Sequence, residues 1–499
     1  MSLNVLYIYI YPFLNEIFLL INICFFLLFG AIFSNSIKFN FPLLNFPTQF
    51  YFFQTLLFSF ILLINSSPIF VIIENNLLIS DLFSFYSKIL IIFFSVIWFF
   101  IYSLYSKILN FEFWILILLS VVGACFLIQT YDLLSIYINV EFLSLSFYIL
   151  ASINRNSEFS TEAGLKYFIL GAFASALLLL GFSLLYSLTG LTNLQDLTTF
   201  FTGYKLDFNI PFNLAIFISL LCIIASFLLK LGAAPFHFWL PDVYEGCISP
   251  ITAFFTIIPK IAILGLLIRF IFVLVNDYFF DKIYFFLLIV LLLSSFIGIA
   301  GAFFQNKWKR FIAFSSINHL SFFFINFCSF NVNNLNNLFF YLFFYLLMTC
   351  CFFSFFHSFH FYKFPKFINP RFFKSLNHLN LLNPVLSFSF LILLFSFAGI
   401  PPLVGFFSKY FVLYSAISEN FFFVIFFLLV LNCISGFYYI NLIKKNYFNN
   451  IDSIYLPICD LKFSNSNVTL LSILTLLLIL ASFNFNFFFL LANLMQNAF

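Results

Sequence analysis

Apolar runs of bilayer length recur from one end of this chain to the other. A helix needs ~20 apolar residues to cross the hydrocarbon core of a membrane. Runs near 12–34, 50–72, 80–106, 112–130, 132–153, 162–188 and 211–246 meet that length, as do runs near 250–275, 283–304, 309–329, 338–361, 384–417, 419–441 and 466–494. The pattern predicts an all-α polytopic membrane protein with about fourteen transmembrane helices. Charge usage agrees. Only 21 basic and 17 acidic residues occur among 499, whereas a soluble domain is about one quarter charged. A soluble fold is therefore excluded, and disorder fails on hydrophobicity. Nucleic acid is no partner either, since it needs a basic stripe and a net charge of +4 over this length offers none.

Two runs are too long for one straight helix. The seventh, 211–246, contains Gly232, Pro235 and Pro241; the twelfth, 384–417, contains Gly399, Pro401, Pro402 and Gly405. Both read as helices broken near mid-membrane, exposing backbone dipoles to a buried path. A plain helix followed by an interfacial segment is the other reading.

The positive-inside rule supplies orientation. Loops after odd-numbered spans hold fourteen basic residues: Lys38, Lys107, Arg155, Lys166, Lys307, Lys309, Arg310, Lys363, Lys366, Arg371, Lys374, Lys444, Lys445 and Lys462. Loops after even-numbered spans hold only Lys205 and Lys282. Both termini are thus expected on the outer side and the basic loops on the inner side.

Charge at membrane depth costs several kcal/mol and by default marks an ion path or a buried pair. Glu141 lies at the middle of the fifth span, and Lys230 just before the break of the seventh. Lys260 is deep in the eighth and follows Pro259; Lys409 follows the break of the twelfth. A Glu–Lys pair holds both groups charged, so separating the partners releases the lysine proton, which suits a relay. The competing account is a static ion pair with two snorkelling lysines. It explains one lysine near a span end better than three central ones on separate helices.

Other polar residues carry weaker signals. His319 lies mid-span among Ser315, Ser316, Asn318 and Ser321, a cluster suited equally to a water chain or to helix–helix hydrogen bonds. His237, in the second half of the broken seventh span, suits either proton relay or capping of freed backbone. Lys88 is expected to snorkel, Arg269 to reach headgroups and Glu16 to be structural. His357 and His360 share a helix face without an acidic or cysteine partner and read as interfacial. Arg155, Glu158, Glu162 and Lys166 alternate in sign at helical spacing and read as a self-paired entry to the sixth span. Nine scattered cysteines without a C-x-x-C pair, and no glycine-rich nucleotide loop, predict no cofactor and no metal site in the chain.

Several long strings then resemble one family. TEAGLKYFILGAFASALLLLGFSLLYSLTG at 161–190, LKLGAAPFHFWLPDVYEG at 229–246, KIAILG around Lys260 and GIPPLVGFFSKYFVL at 399–413 are similar to the proton-pumping antiporter-like subunits of respiratory complex I. The E-A-G-L-K-Y form narrows the likeness to their chain 2 branch, called subunit N in bacteria. The likeness covers 132–330 well and 384–440 fairly; the first 75 residues and 356–380 match poorly. Lysine at position 409, where the chain 4 branch carries glutamate, and a chain stopping at Phe499 without a lateral helix set it apart from the sibling branches. CISP at 247–250 and the abundance of phenylalanine depart from the family pattern, but neither touches a candidate relay residue.

The resemblance implies fourteen helices holding two inverted five-helix repeats, with helices 7 and 12 broken. Its segments would be an N-terminal three-helix part (1–110), two half-channel repeats (111–280 and 281–441) and an inner loop with a last helix (442–499). It implies proton-relay roles for Glu141, Lys230, Lys260 and Lys409, with His319 bridging the halves. The implied partners are the lipid bilayer and other membrane-arm subunits of complex I, and neither NADH nor quinone binds here. A cation/proton antiporter subunit and a structural spacer are the alternatives. The excess of Phe, Leu, Ile, Asn and Tyr fits an AT-rich genome. With no targeting peptide at the start, it points to the mitochondrial inner membrane with both termini on the intermembrane-space side, a bacterial or plastid membrane being the alternative.

Overall fold

A computed structural model describes residues 9–33, 45–73, 76–102, 111–203, 210–274, 277–329, 331, 334–358, 361–363, 366–368, 370–376, 379–448 and 465–497. Lys38, Lys107, Lys205, His360 and Lys462 lie outside them. Nearly all of the described chain is helix. In order these are α1 (Leu14–Phe33), α2 (Asn45–Asn65), α3 (Leu82–Tyr102), α4 (Phe111–Gln129), α5 (Leu133–Ala151), α6 (Glu158–Thr189), α7 (Leu194–Gly203), α8 (Ile210–Leu231), α9 (Trp239–Gly246) and α10 (Ser249–Leu274). They continue with α11 (Asp277–Phe303), α12 (Trp308–Cys328), α13 (Leu335–Ser358), α14 (Leu379–Leu382), α15 (Pro384–Ala398), α16 (Val404–Ser418), α17 (Phe422–Tyr447), α18 (Asn465–Leu480) and α19 (Phe485–Gln496). Two small antiparallel hairpins, Val71–Ile73 with Leu78–Ser80 and Phe361–Lys363 with Lys366–Ile368, close loops.

Among the described residues twelve helices are long and apolar enough to cross a membrane. The last expected span, 466–494, is not one straight helix: α18 and α19 meet at 92°, where Ser482 and Asn484 interrupt the apolar run. The two long runs are broken as the prolines and glycines predict. Gly232 and Gly399 take φ of 73° and 80°, a left-handed conformation that side chains disfavour and glycine adopts freely. The apolar part of the seventh span ends at Leu231, and α9, eight residues long, lies beyond it.

Local chemistry explains where helices start. Asp132 accepts from the Leu134 amide and forms a reciprocal capping box with Ser135. Asn383 caps α15 with Pro384 at its first turn. Within the spans, serine and threonine hydroxyls mostly bond carbonyls one turn back, as Ser120 does to Ile117 and Thr256 to Ala253, which lets polar residues enter lipid-depth helices.

Burial is organised the way lipid demands. Phe25, Phe426 and Phe483 are exposed, because apolar side chains on the rim face acyl chains rather than water. Between helices, where lipid is as apolar as leucine, close packing holds the bundle together. Phenylalanine does much of it: Phe52 sits between Trp98 and Trp114, and Phe355 stacks on Phe390 at 4.4 Å. The apolar windows of α10, α12 and α13 are each 94 % buried. These three form the centre of the bundle, and they carry Lys260, His319 and two tyrosines.

Candidate functional site: a buried ionisable chain

The fifth span supplies the first group. Glu141 of α5 lies 3.7 Å from the Nζ of Lys230 at the end of α8, an ion pair looser than a hydrogen bond. Directly after Lys230 the helix stops at Gly232, and the Leu229 carbonyl accepts both from the Gly232 amide and from the indole of Trp239 in α9, the latter at 2.8 Å. The break thus remains satisfied without engaging the lysine.

A small cavity of about 10 Å3, lined by Lys230, Lys260, Pro259, Tyr167 and Tyr244 among others, joins the first lysine to the second. That is about the space one water requires. Lys260 is 3 % exposed and donates to the hydroxyl of Tyr345 on α13 at 2.5 Å, its ammonium also lying over that ring. His319 of α12 packs against the same Tyr345, with ring centroids 5.2 Å apart, and its Nδ1 shares a hydrogen bond with Tyr341 at 2.6 Å.

From His319 the contacts continue into the second broken span. The ring of Phe397, at the end of α15, lies 5.5 Å from His319, and its carbonyl accepts from Lys409 at 2.8 Å. Lys409 also donates to the Ala398 carbonyl and to Asn432 Oδ1 of α17. The carbonyls left open by the break are what hold the ammonium. Gly399 makes room: a Cβ there would sit 3.1 Å from Lys409 Cδ.

The structure therefore brings Glu141, Lys230, Lys260, His319 and Lys409 into one line of neighbouring groups, of which Lys260, His319 and Lys409 are buried. It does not place His237 in line with them. That ring sits in the break with Nδ1 3.3 Å from the Pro235 carbonyl, the capping geometry. Tyr341 and Tyr345 escaped the sequence reading. Their signal is present in the sequence, since two hydroxyls four residues apart in LFFYLFFYLLM (338–348) share a helix face, but a tyrosine in so aromatic a run reads as packing.

Two expectations fail. Lys88 does not snorkel: it is 2 % exposed and 2.6 Å from a fully buried Glu16. Arg269 does not reach headgroups, because Asp81 takes its guanidinium at 2.9 and 3.1 Å. For both cations a carboxylate from a distant part of the chain, Glu16 or Asp81, takes the place of water or headgroups. His357, in the last turn of α13, is buried against the protein. Lys166 pairs with Glu162 as its spacing predicts, but also with Asp242 of α9. Asp242 holds Arg310 as well, and Glu245 gathers Lys307, Arg310 and Arg371. This lattice ties α6, α9 and α12 at the basic face. Burial raises the Asp242 and Glu245 carboxyls, but the bonds from these cations outweigh it and leave both below their ordinary values.

Buried ionisable groups strung between two broken helices in a polytopic bundle define an antiporter-type membrane protein. The family described as NADH:quinone oxidoreductase/Mrp antiporter, transmembrane, matches residues 130–435, and the chain belongs to it. NADH-ubiquinone oxidoreductase chain 2 of Marchantia polymorpha is 35 % identical over 87 % of this chain and 88 % of its own length. NADH-quinone oxidoreductase subunit N of a Wolbachia from Brugia malayi is 35 % identical over 67 % of this chain and 69 % of its own. A chain of respiratory complex I from Thermus thermophilus with bound aureothin shares the fold. Its TM-score is 0.75 at 24 % identity, covering 94 % of this chain and 96 % of that one.

Proposed function

We propose that this chain translocates protons as a membrane-arm subunit of respiratory complex I, the NADH:ubiquinone oxidoreductase. The observation that carries the reading is the succession from the Glu141–Lys230 pair through Lys260, Tyr345 and His319 to Lys409, the last step being spanned by Phe397. Each member is a proton donor or acceptor, and all but Glu141, whose side chain is 25 % exposed, are covered by neighbouring helices. The half-channel repeats, 111–280 and 281–441, contribute Glu141, Lys230 and Lys260 from one side and His319 and Lys409 from the other. Weakening the Glu141–Lys230 pair favours proton loss from Lys230, and the water-sized cavity beside it carries the proton to Lys260. His319 and Tyr341 pass it on towards Lys409. His237 serves chiefly as a cap that keeps the break open.

The work comes from quinone reduction elsewhere in the complex. This chain binds neither NADH nor quinone and needs no cofactor of its own. Its partners are the neighbouring membrane-arm subunits and the lipid of the mitochondrial inner membrane. Both termini lie on the intermembrane-space side, as the basic loops require. Lys230→Met in the assembled complex is expected to depress proton pumping. Pumping equal to wild type at full assembly would remove Lys230 from the path.

The family description also covers Mrp antiporters, which supports a second reading as a cation/proton antiporter subunit. Purification decides between them, since only the first reading requires the chain to co-purify with a redox arm.

A further inference from the structure

The first three helices hold a second buried ionic site that the relay does not use. Glu16 of α1 and Lys88 of α3 are 0 % and 2 % exposed and 2.6 Å apart. Lys88 also donates to the Pro12 carbonyl at 3.2 Å. Beside the pair lies a cavity of about 180 Å3 whose lining includes Lys88, Asn15, Asp81, Ser84 and Asn65. That is far above the ~10–15 Å3 one water needs. Asn15 is 4 % exposed, and neither atom of its amide has a protein partner. A cavity of that volume whose lining includes Asn65, Ser66, Ser67, Ser80, Asp81 and Ser84 offers water the several polar partners it needs.

The position of the cavity in the bundle is defined. α6 begins near the basic lattice at Lys166, and just past its other end Asn193 donates to the Asn76 carbonyl beside the cavity segment. The cavity therefore opens towards the face opposite the basic lattice. Its surroundings are also defined. Arg269 of α10 is committed to Asp81, Cys125 of α4 faces both charges of the pair, Tyr131 lies near Asp81 and Arg269, Tyr11 lies on the rim, and Tyr51 of α2 is engaged with Asn22. Lys88 lines the cavity and contacts Glu16 directly.

We propose that this cavity is a water-filled vestibule through which the Glu16–Lys88 pair exchanges a proton with the aqueous phase opposite the basic loops, a proton-exchange site separate from the central relay. Lys88 passes its proton to the Glu16 carboxylate and takes one from a hydronium in the vestibule, which becomes water. The pair ends as a neutral carboxyl beside an ammonium, one proton richer. Reversal returns the proton to the same face.

The experiment uses the assembled complex in sealed vesicles. Asn15→Cys is expected to react with a small membrane-impermeant methanethiosulfonate added at the cavity face, and not from the opposite side. Peptide-level mass spectrometry separates it from the exposed Cys24 and Cys433. No reaction in the folded complex, with full reaction after denaturation, would show a dry cavity and overturn the proposal. Infrared difference spectra between low and high pH test the exchange itself: a protonated-carboxyl band is expected, lost in Glu16→Gln. If that variant does not assemble, Glu16→Asp must shift the band. A band that neither change touches also overturns the proposal.

Discussion

The ammonium of Lys260 and the hydroxyl of Tyr345 meet at 2.5 Å between α10 and α13. This contact bridges the two halves of the buried chain, because Tyr345 also packs on His319. A hydroxyl can accept a proton on one side while donating on the other, which neither a phenylalanine nor a leucine in this Phe-rich span can do.

Tyr345→Phe keeps the ring and removes that step. Hydrogen bonds to charged groups contribute about 1.5–3 kcal/mol, so proton pumping by the assembled complex is expected to fall while the helix packing survives. The check is pumping per NADH oxidised, with assembly verified on native gels. Tyr341→Phe should also lower pumping, since it removes the hydrogen bond to His319 Nδ1.

Glu141→Gln leaves Lys230 buried without a carboxylate. Breaking one side of a buried pair costs about 3–5 kcal/mol. The low end is expected here, given the 3.7 Å separation and a Glu141 side chain 25 % exposed. Thermal unfolding of the purified complex reads the loss. Adding Lys230→Met should recover stability without restoring pumping.

Gly399→Ala tests the second break. The left-handed backbone costs a side chain roughly 1–2 kcal/mol, and the new methyl would press on Lys409 at 3.1 Å. Pumping is expected to drop more than stability does, because the methyl displaces the ammonium from the Phe397 carbonyl. Equal pumping in the variant would show that Lys409 does not need that seat.

The lattice around Asp242 and Glu245 makes a pH prediction. Both carboxyls titrate below their ordinary values of 3.8 and 4.5, so they bind protons less readily folded than unfolded. Their contribution to stability is full above the unfolded values and is lost as pH falls through the folded ones. Hydrogen exchange at α9 should stay slow at neutral pH and accelerate only in acid below that range. The partial exposure of these groups keeps the effect modest, and added salt should weaken it.

The spans, the two breaks and the four central ionisable residues were legible in the amino-acid sequence. Each follows from a strictly local rule: length of an apolar run, glycine and proline in a helix, charge where lipid should be. His319 stood out for the same reason. What the sequence could not reveal is what each group faces. Lys88 and Arg269 look like span-end residues free to reach water until Glu16, some seventy residues earlier, and Asp81 are folded against them. Tyr345 looks like one more aromatic until α13 is laid between Lys260 and His319. The chain alone determined that charge would be buried and at what depth, because a bilayer sets one length for every helix. Only the tertiary structure decided which charges are paired and which are linked, because those partners come from helices far apart in the sequence and are chosen by how the helices pack.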